Sequence, residues 1–295
     1  APGDHIITGN DLYGGSFRLF RNINARNGVK FTTVHTSKLE EIKAAIKPNT
    51  KAIFLETPTN PTMEISDLRA ISKIAKENNF LVIVDNTFLT PYFQKPLALG
   101  ADIVIHSGTK YLAGHNDVLA GFTVVKEQTL ADKLRLIYKT TGACLGALDA
   151  WLVIRGIKTL PLRMEQHQKN ATAIAAWLQK QPRVKYVLYP GLAEHPGYAV
   201  NKAQTSGFGG MISFAVDNAE TARQLLEGVK LIQFAESLGG TESLITYPIR
   251  QTHTDLTPEE CAEKGITDCL LRLSTGIEAT EDLIADLAQA FTDIQ

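Results

Sequence analysis

The chain has 295 residues, a formal net charge of −1 and 21% charged residues of both signs. That length holds a large core, more naturally in two domains than one, and the charge balance gives no attraction to nucleic acid or to an acidic membrane. Its longest apolar runs, such as FLVIVD at 80–85, are too short to cross a bilayer.

Three cysteines, Cys144, Cys261 and Cys269, are too sparse and odd in number for a disulfide framework. They fit incidental or buried thiols in a reducing, cytoplasmic setting. The opening APGDHIITGN reads as the middle of a running α/β domain and lacks the basic and apolar regions of a signal peptide. We therefore expect residues upstream of Ala1.

In chain order, KAIFLE (51–56) reads as a strand. SDLRAISKIAKENN (66–79) is an amphipathic helix with Leu68, Ile71, Ile74 and Ala75 on one face and Ser66 as its N-cap. FLVIVD and DIVIH are two further strands, apolar on both faces, as parallel strands covered by helices are. VLAGFTVV (118–125) adds another, followed by a helix over about 127–139. A long helical region covers about 146–180, broken or kinked at Pro161. Beyond it VKYVLYP and GGMISFAV read as strands of a different sheet, with amphipathic helices at AETARQLLEGV and TEDLIADLAQAFTDI, the last capped by Thr280. The pattern predicts an α/β protein with a mostly parallel sheet over 1–153 and a smaller α+β domain over 154–295. Trp151 and Trp177 read as core.

In doubly wound sheets, ligands bind beyond the carboxyl ends of the strands. ETPTNP (56–61), DNTF (85–88) and HSGTK (106–110) all fall there, so one site can gather Asn60, Asp85, Ser107, Thr109 and Lys110. Asp85 ends an apolar run and needs a cationic partner. An ion pair with Lys110 is one reading. The other gives Asp85 to a ligand's protonated nitrogen and leaves Lys110 free as a nucleophile. Ser107 and Thr109, hydroxyls beside open backbone N–H groups, suit a phosphate and favour the second. Phosphate, protonated ring nitrogen and reactive lysine together describe pyridoxal 5′-phosphate (PLP).

Six motifs carry a wider resemblance: NDLYGGSF (10–17), ETPTNP, VDNTF, HSGTKYLAGHND, AESLGGTESL (235–244) and LRLSTGIE (271–278). In this order, over nearly the whole chain, they resemble the Cys/Met-metabolism PLP enzymes. These include cystathionine γ-synthase, cystathionine γ-lyase, cystathionine β-lyase, methionine γ-lyase and the O-acylhomoserine sulfhydrylases. The resemblance implies PLP fold type I (aspartate-aminotransferase-like) and a transsulfuration enzyme. It implies Lys110 as the Schiff-base lysine, Asp85 as partner of the pyridine nitrogen, Asn60 near the ring hydroxyl, Ser107 and Thr109 as phosphate ligands and Tyr13 stacked on the ring. Arg272 is implied as the clamp on the substrate carboxylate, a planar two-pronged contact, with Ser237 beside it. Two mild departures are Gly108 and Ala113, where relatives often have alanine and glycine. Family members also carry an upstream arm that lends a tyrosine and an arginine to the neighbouring subunit's site in a homotetramer, a dimer of dimers.

The implied partners are small amino acids: an O-acylhomoserine, cysteine and cystathionine. Glu236, in FAESLGG, stands where γ-acting relatives carry glutamate, and ITYPIRQTHTD (245–255) looks like the synthase and sulfhydrylase branch. The expected reaction is γ-replacement to give cystathionine, with γ-elimination or another C–S lyase reaction of the same family as the alternative, and a truncated, inactive fragment or a non-catalytic PLP-fold protein as the rival of another class. No G-x-G-x-x-G follows the first strand, which argues against a nicotinamide oxidoreductase. His106, His115, Asp117, His167 and His253 show no metal-ligand spacing, and no metal is expected. Residues 115–117 read as a loop hydrogen-bond network.

Overall fold

The structure, a computed structural model, describes residues 1–252 and 257–294. The first sheet comprises β1 (His5–Gly9), β2 (Lys30–Val34), β3 (Thr50–Glu56), β4 (Leu81–Asp85), β5 (Ile103–Ser107) and β6 (Gly121–Val125), in the order β2-β1-β3-β4-β5-β6. All pairings are parallel except β5 with β6. Ile7, Ile53, Leu55, Val82, Val84 and Val104 form its core with the helix Leu68–Glu77, which buries Leu68, Ile71, Ile74 and Ala75 as the periodicity predicts. The register sets Glu56 opposite Asp85, so the polar ends of β3, β4 and β5 share one edge.

The second sheet comprises β7 (Val184–Leu188), β8 (Met211–Val216), β9 (Gln233–Phe234), β10 (Leu244–Thr246) and β11 (Leu270–Ser274), ordered β7-β8-β11-β10-β9. Only β9 with β10 is parallel. The helices Ala219–Gly228 and Thr280–Thr292 lend Ala222, Leu225, Leu283 and Leu287 to its core. The fold is thus α/β with a mostly parallel sheet followed by a smaller mixed one. None of the described helices is long and apolar enough to cross a membrane.

Three expectations are corrected. Ser66 is not the N-cap: the chain starts its helix one residue later, and Asp67 Oδ1 accepts from Ala70 N–H at 3.0 Å. Ser66, fully buried, instead donates to Thr36 Oγ1. Thr280 lies inside the last helix, after the N-cap position at Ala279, and donates to Asn170 Oδ1 at 2.6 Å. Trp151 is not core; it is 55% exposed, beside exposed Leu148 and Ile154 on a helix that buries only Val153 and Gly156. Trp177 does pack against the second core.

The break at Pro161 resolves the long helical region into Ala147–Ile157 and Leu160–Leu178, with the proline in the first turn of the second helix. The first helix closes on the segment after β5 at Gly156, where a Cβ would collide with the carbonyl of Ala113. Backbone cannot give way as a flexible side chain does, so Gly156→Ala is expected to lose about 1–3 kcal/mol despite alanine's better helix propensity. A denaturant midpoint equal to wild type would contradict this packing.

Candidate active site

A cavity of about 160 Å³ opens at the carboxyl ends of β3, β4 and β5. Tyr13, Glu56, Asn60, Asp85, Thr87, Ser107, Thr109, Lys110 and Leu238 are among the residues that line it. Six of the residues singled out in the sequence therefore meet there. Arg272, Ser237 and Glu236 join them from the second sheet and its loops, through hydrogen bonds and charge.

β5 runs into one wide turn, Gly108–Leu112, in which Lys110 leaves helical geometry at φ −93° and ψ −132°. Lys110 Nζ donates to Ser237 Oγ at 2.7 Å, and no ion pair with Asp85 forms. Burial, then the charge of Arg272, pulls the Lys110 ammonium down to about 8, with Glu236 acting the other way. Glu236 is an exposed carboxylate whose charge reaches both Lys110 and Arg272.

Asp85 accepts at Oδ1 from Thr87 N–H at 3.0 Å and from Thr87 Oγ1 at 2.6 Å. Thr87 Oγ1 in turn accepts from Ser107 N–H at 2.8 Å, tying the ends of β4 and β5 together. Next to Asp85, Glu56 is 6% exposed and accepts from Tyr13 N–H at 2.7 Å. Burial first, and then the charge of Asp85, pushes the Glu56 carboxyl well above the usual range. Burial also raises Asp85, but Thr87's two donations oppose it. Neither Glu56 nor Thr87 was singled out from the sequence, although both lie in the quoted strand-end motifs ETPTNP and DNTF.

Arg272, on β11, is 2% exposed. Its partners are Asn60 Oδ1 at 2.9 Å, Ser237 O at 2.9 Å and Thr246 Oγ1 at 3.1 Å, all neutral oxygens. Its Nε has no partner among the described residues, and burial lowers the guanidinium to about 10. Such a group is ready to take a carboxylate. Tyr13, 52% exposed, is no core aromatic; it stands at the lip, where its backbone precedes the short helix Gly14–Arg18.

One expectation at this edge fails. The N–H groups of Gly108 and Thr109 both donate to Ala120 O, and that of Ser107 goes to Thr87. The chain running into β6 consumes them, so they are not open to an anion. Thr109 Oγ1 is also engaged with Ala120, accepting from its N–H at 3.0 Å and donating to its carbonyl at 3.3 Å. His115 bonds Ala113 O and Asn116 bonds Glu242, a loop network as expected. Among the described residues no three His, Cys, Asp or Glu side chains gather as a metal site. The ITYPIRQTHTD stretch runs into residues 253–256, which lie outside the described residues together with His253.

A family model described as Cys/Met metabolism PLP-dependent enzyme matches residues 1–292. The chain is 50% identical over 292 residues to cystathionine gamma-lyase of Bacillus subtilis, covering 99% of this chain and 77% of that protein. It is 52% identical over 296 residues to cystathionine gamma-synthase of Haemophilus influenzae, covering 100% and 76%. Among solved structures, cystathionine gamma-lyase from Lactobacillus plantarum complexed with L-serine superposes with a TM-score of 0.98 at 46% identity, covering 100% of this chain and 77% of that one.

Only the neutral amine attacks a carbonyl. The rate at which Lys110 reacts with a small aldehyde is therefore expected to climb as pH rises through about 8 and to level off above it. Glu236 favours the ammonium, so Glu236→Gln moves that midpoint lower, and Arg272→Gln moves it higher. Reductive trapping of the adduct across pH, followed by peptide mapping, checks this; a midpoint near the ordinary 10.5 contradicts it.

Proposed function

The chain belongs to the Cys/Met metabolism family of PLP-dependent enzymes, and from that premise we propose that it catalyses γ-replacement on an O-acylhomoserine. The γ C–O bond breaks, the acyl group leaves as a carboxylate, and the thiol of cysteine forms the new γ C–S bond of cystathionine. The observation that carries the reading is the pairing across one cavity of Asp85, bonded among the described residues only by Thr87, with Lys110, whose ammonium is weakened and meets no described carboxylate at contact distance.

These residues fit the cofactor. A desolvated carboxylate without a cation gains most from a protonated ring nitrogen, and a lysine near neutrality is suited to covalent attachment. Ser107 keeps its hydroxyl at the cavity for the phosphate, whereas Thr109 must exchange its bonds with Ala120 to help. Bound there, PLP supplies an electron-accepting ring that stabilises negative charge at the substrate's Cα.

The chain's own groups do the rest. Lys110 Nζ would hold the cofactor and, with its ammonium weakened, would serve as the base that takes the proton from the substrate's Cα. Ser237 Oγ, its partner in the structure, holds the amine on that side of the cavity. Asp85 would hold a proton on the ring nitrogen, and Thr87 occupies only its Oδ1 among the described residues. Arg272 would grip the substrate carboxylate, its guanidinium being tied to Asn60. Tyr13, lining the cavity, would stack on the ring. Glu236 would meet the amino group of the incoming cysteine.

A second reading, γ-elimination of cystathionine, has support of its own: the γ-lyase relative is 50% identical and the γ-synthase 52%. Both reactions share every step up to loss of the γ-substituent. Parallel assays separate them, with O-acetyl- or O-succinylhomoserine plus cysteine in one and cystathionine alone in the other. Synthesis faster than cleavage is expected; release of cysteine and 2-oxobutyrate far faster than cystathionine forms would establish the lyase instead.

The same reading predicts that Asp85→Asn still binds PLP but loses turnover by on the order of 100-fold or more, because an amide cannot hold a proton on the ring nitrogen. Absorbance titration for binding and steady-state kinetics for turnover report the two effects separately. Turnover close to wild type would make Asp85 structural.

A further inference from the structure

Lys110 sits in an irregular turn, and a lysine stem has four rotatable carbons. Its Nζ is only as well placed as the backbone beneath it. What holds that backbone is a buried arginine from another element. Arg163 lies in the first turn of Leu160–Leu178, just after the Pro161 break, and is 4% exposed. Its Nη1 donates to Tyr111 O at 2.7 Å, and its Nη2 donates to Gly156 O at 2.8 Å and, more weakly, to Leu112 O at 3.4 Å. Nε donates to Thr159 Oγ1 at 3.1 Å, and Thr159 donates onward to Gly156 O at 3.1 Å.

All of these acceptors are neutral. A guanidinium taken out of water with no carboxylate to meet it is costly, and here only carbonyl dipoles and a hydroxyl offset that cost. Two of the carbonyls belong to the residues directly after Lys110. A third ends the helix Ala147–Ile157, where a cation also complements the helix dipole. The Lys110 carbonyl itself accepts from Gly114 N–H at 2.8 Å. Gly114 lies flat against the same guanidinium, at φ +76°, where any Cβ would collide with it. The planar fork thus holds the chain directly after Lys110, at Tyr111, Leu112 and Gly114.

We propose that Arg163 is a positioning residue of the active site: its guanidinium clamps the Gly108–Leu112 turn to the break between two helices and thereby sets where Lys110 Nζ stands. The proposal rests on the reading of Lys110 as the cofactor-attaching lysine. It makes a specific demand, because Arg163 touches neither the cavity nor Arg272. Loosening it disturbs the lysine and leaves the substrate's carboxylate grip alone.

The test compares wild type, Arg163→Lys, Arg163→Met and Thr159→Val. Thr159→Val removes only the acceptor that aims Nε and the donation to Gly156, and it leaves the buried guanidinium in place. In Arg163→Met, kcat is expected to fall on the order of 10- to 100-fold, the range that small misplacement of a catalytic group produces, with KM changed by no more than about twofold. Arg163→Lys and Thr159→Val show the same split at smaller amplitude. A second readout needs no turnover: the rate at which apoprotein captures PLP, trapped by borohydride and mapped to Lys110, falls in the same order. If Arg163→Met does not fold, the other two variants decide.

Unchanged kcat and capture rate in folded variants, or a KM effect as large as the kcat effect, would overturn the proposal. Borohydride labelling of wild type on a lysine other than Lys110 would instead overturn the reading beneath it, whatever the variants do.

Discussion

A lysine amine held near neutrality at a strand end is the condition on which the rest of this site depends. Burial weakens the ammonium, and Arg272 weakens it further. A carboxylate at contact distance would undo both effects, since an opposite charge restores the charged form. The fold avoids that by giving Lys110 a hydroxyl partner, Ser237, from a segment 127 residues away, and by leaving Glu236 exposed. Asp85, which lines the same cavity, is held by Thr87 instead.

Two sheets are needed to build this arrangement. The first supplies the carboxyl edge: Glu56 and Asp85 in register, and the turn after β5. The second supplies Arg272 from β11, bonded to Asn60 across the gap, while Ser213 on β8 donates to Pro61 O at 2.7 Å. Gln204 adds a further tie, donating to Ser66 O at 2.9 Å and accepting from Leu68 N–H at 3.1 Å. These contacts cluster around 60–68, so the loop that carries Asn60 is fixed by the second sheet as much as by its own strand. Arg272 and the cavity at the carboxyl edge are therefore mechanically joined.

Much of this was legible because it is local. Apolar runs ending in small polar residues mark the carboxyl ends of parallel strands, and ETPTNP, DNTF and HSGTK each did so. The helix at Leu68–Glu77 follows from its 3.6-residue period, and the break at Pro161 follows from proline's missing N–H. Misjudged details were those in which neighbouring candidates compete. Asp67 outranks Ser66 as a cap because Ser66 is drawn into the core by Thr36 and Thr57. Trp151 is large and apolar, but its helix turns only the side of Val153 and Gly156 inward.

From the sequence alone came the α/β class, the strand-end cluster around Lys110 and the family resemblance, since each is written in contiguous residues. Only the tertiary structure decided what those residues do to one another. It turned Lys110 toward Ser237 rather than Asp85, buried Glu56 beside Asp85, consumed the N–H groups of Gly108 and Thr109 on Ala120, and set Arg163 under the lysine turn. The reason is physical: a partner, a desolvation or a shared proton is fixed by distances of a few ångströms between segments far apart in the chain. Residue type and spacing carry no information about those distances until the sheets have packed.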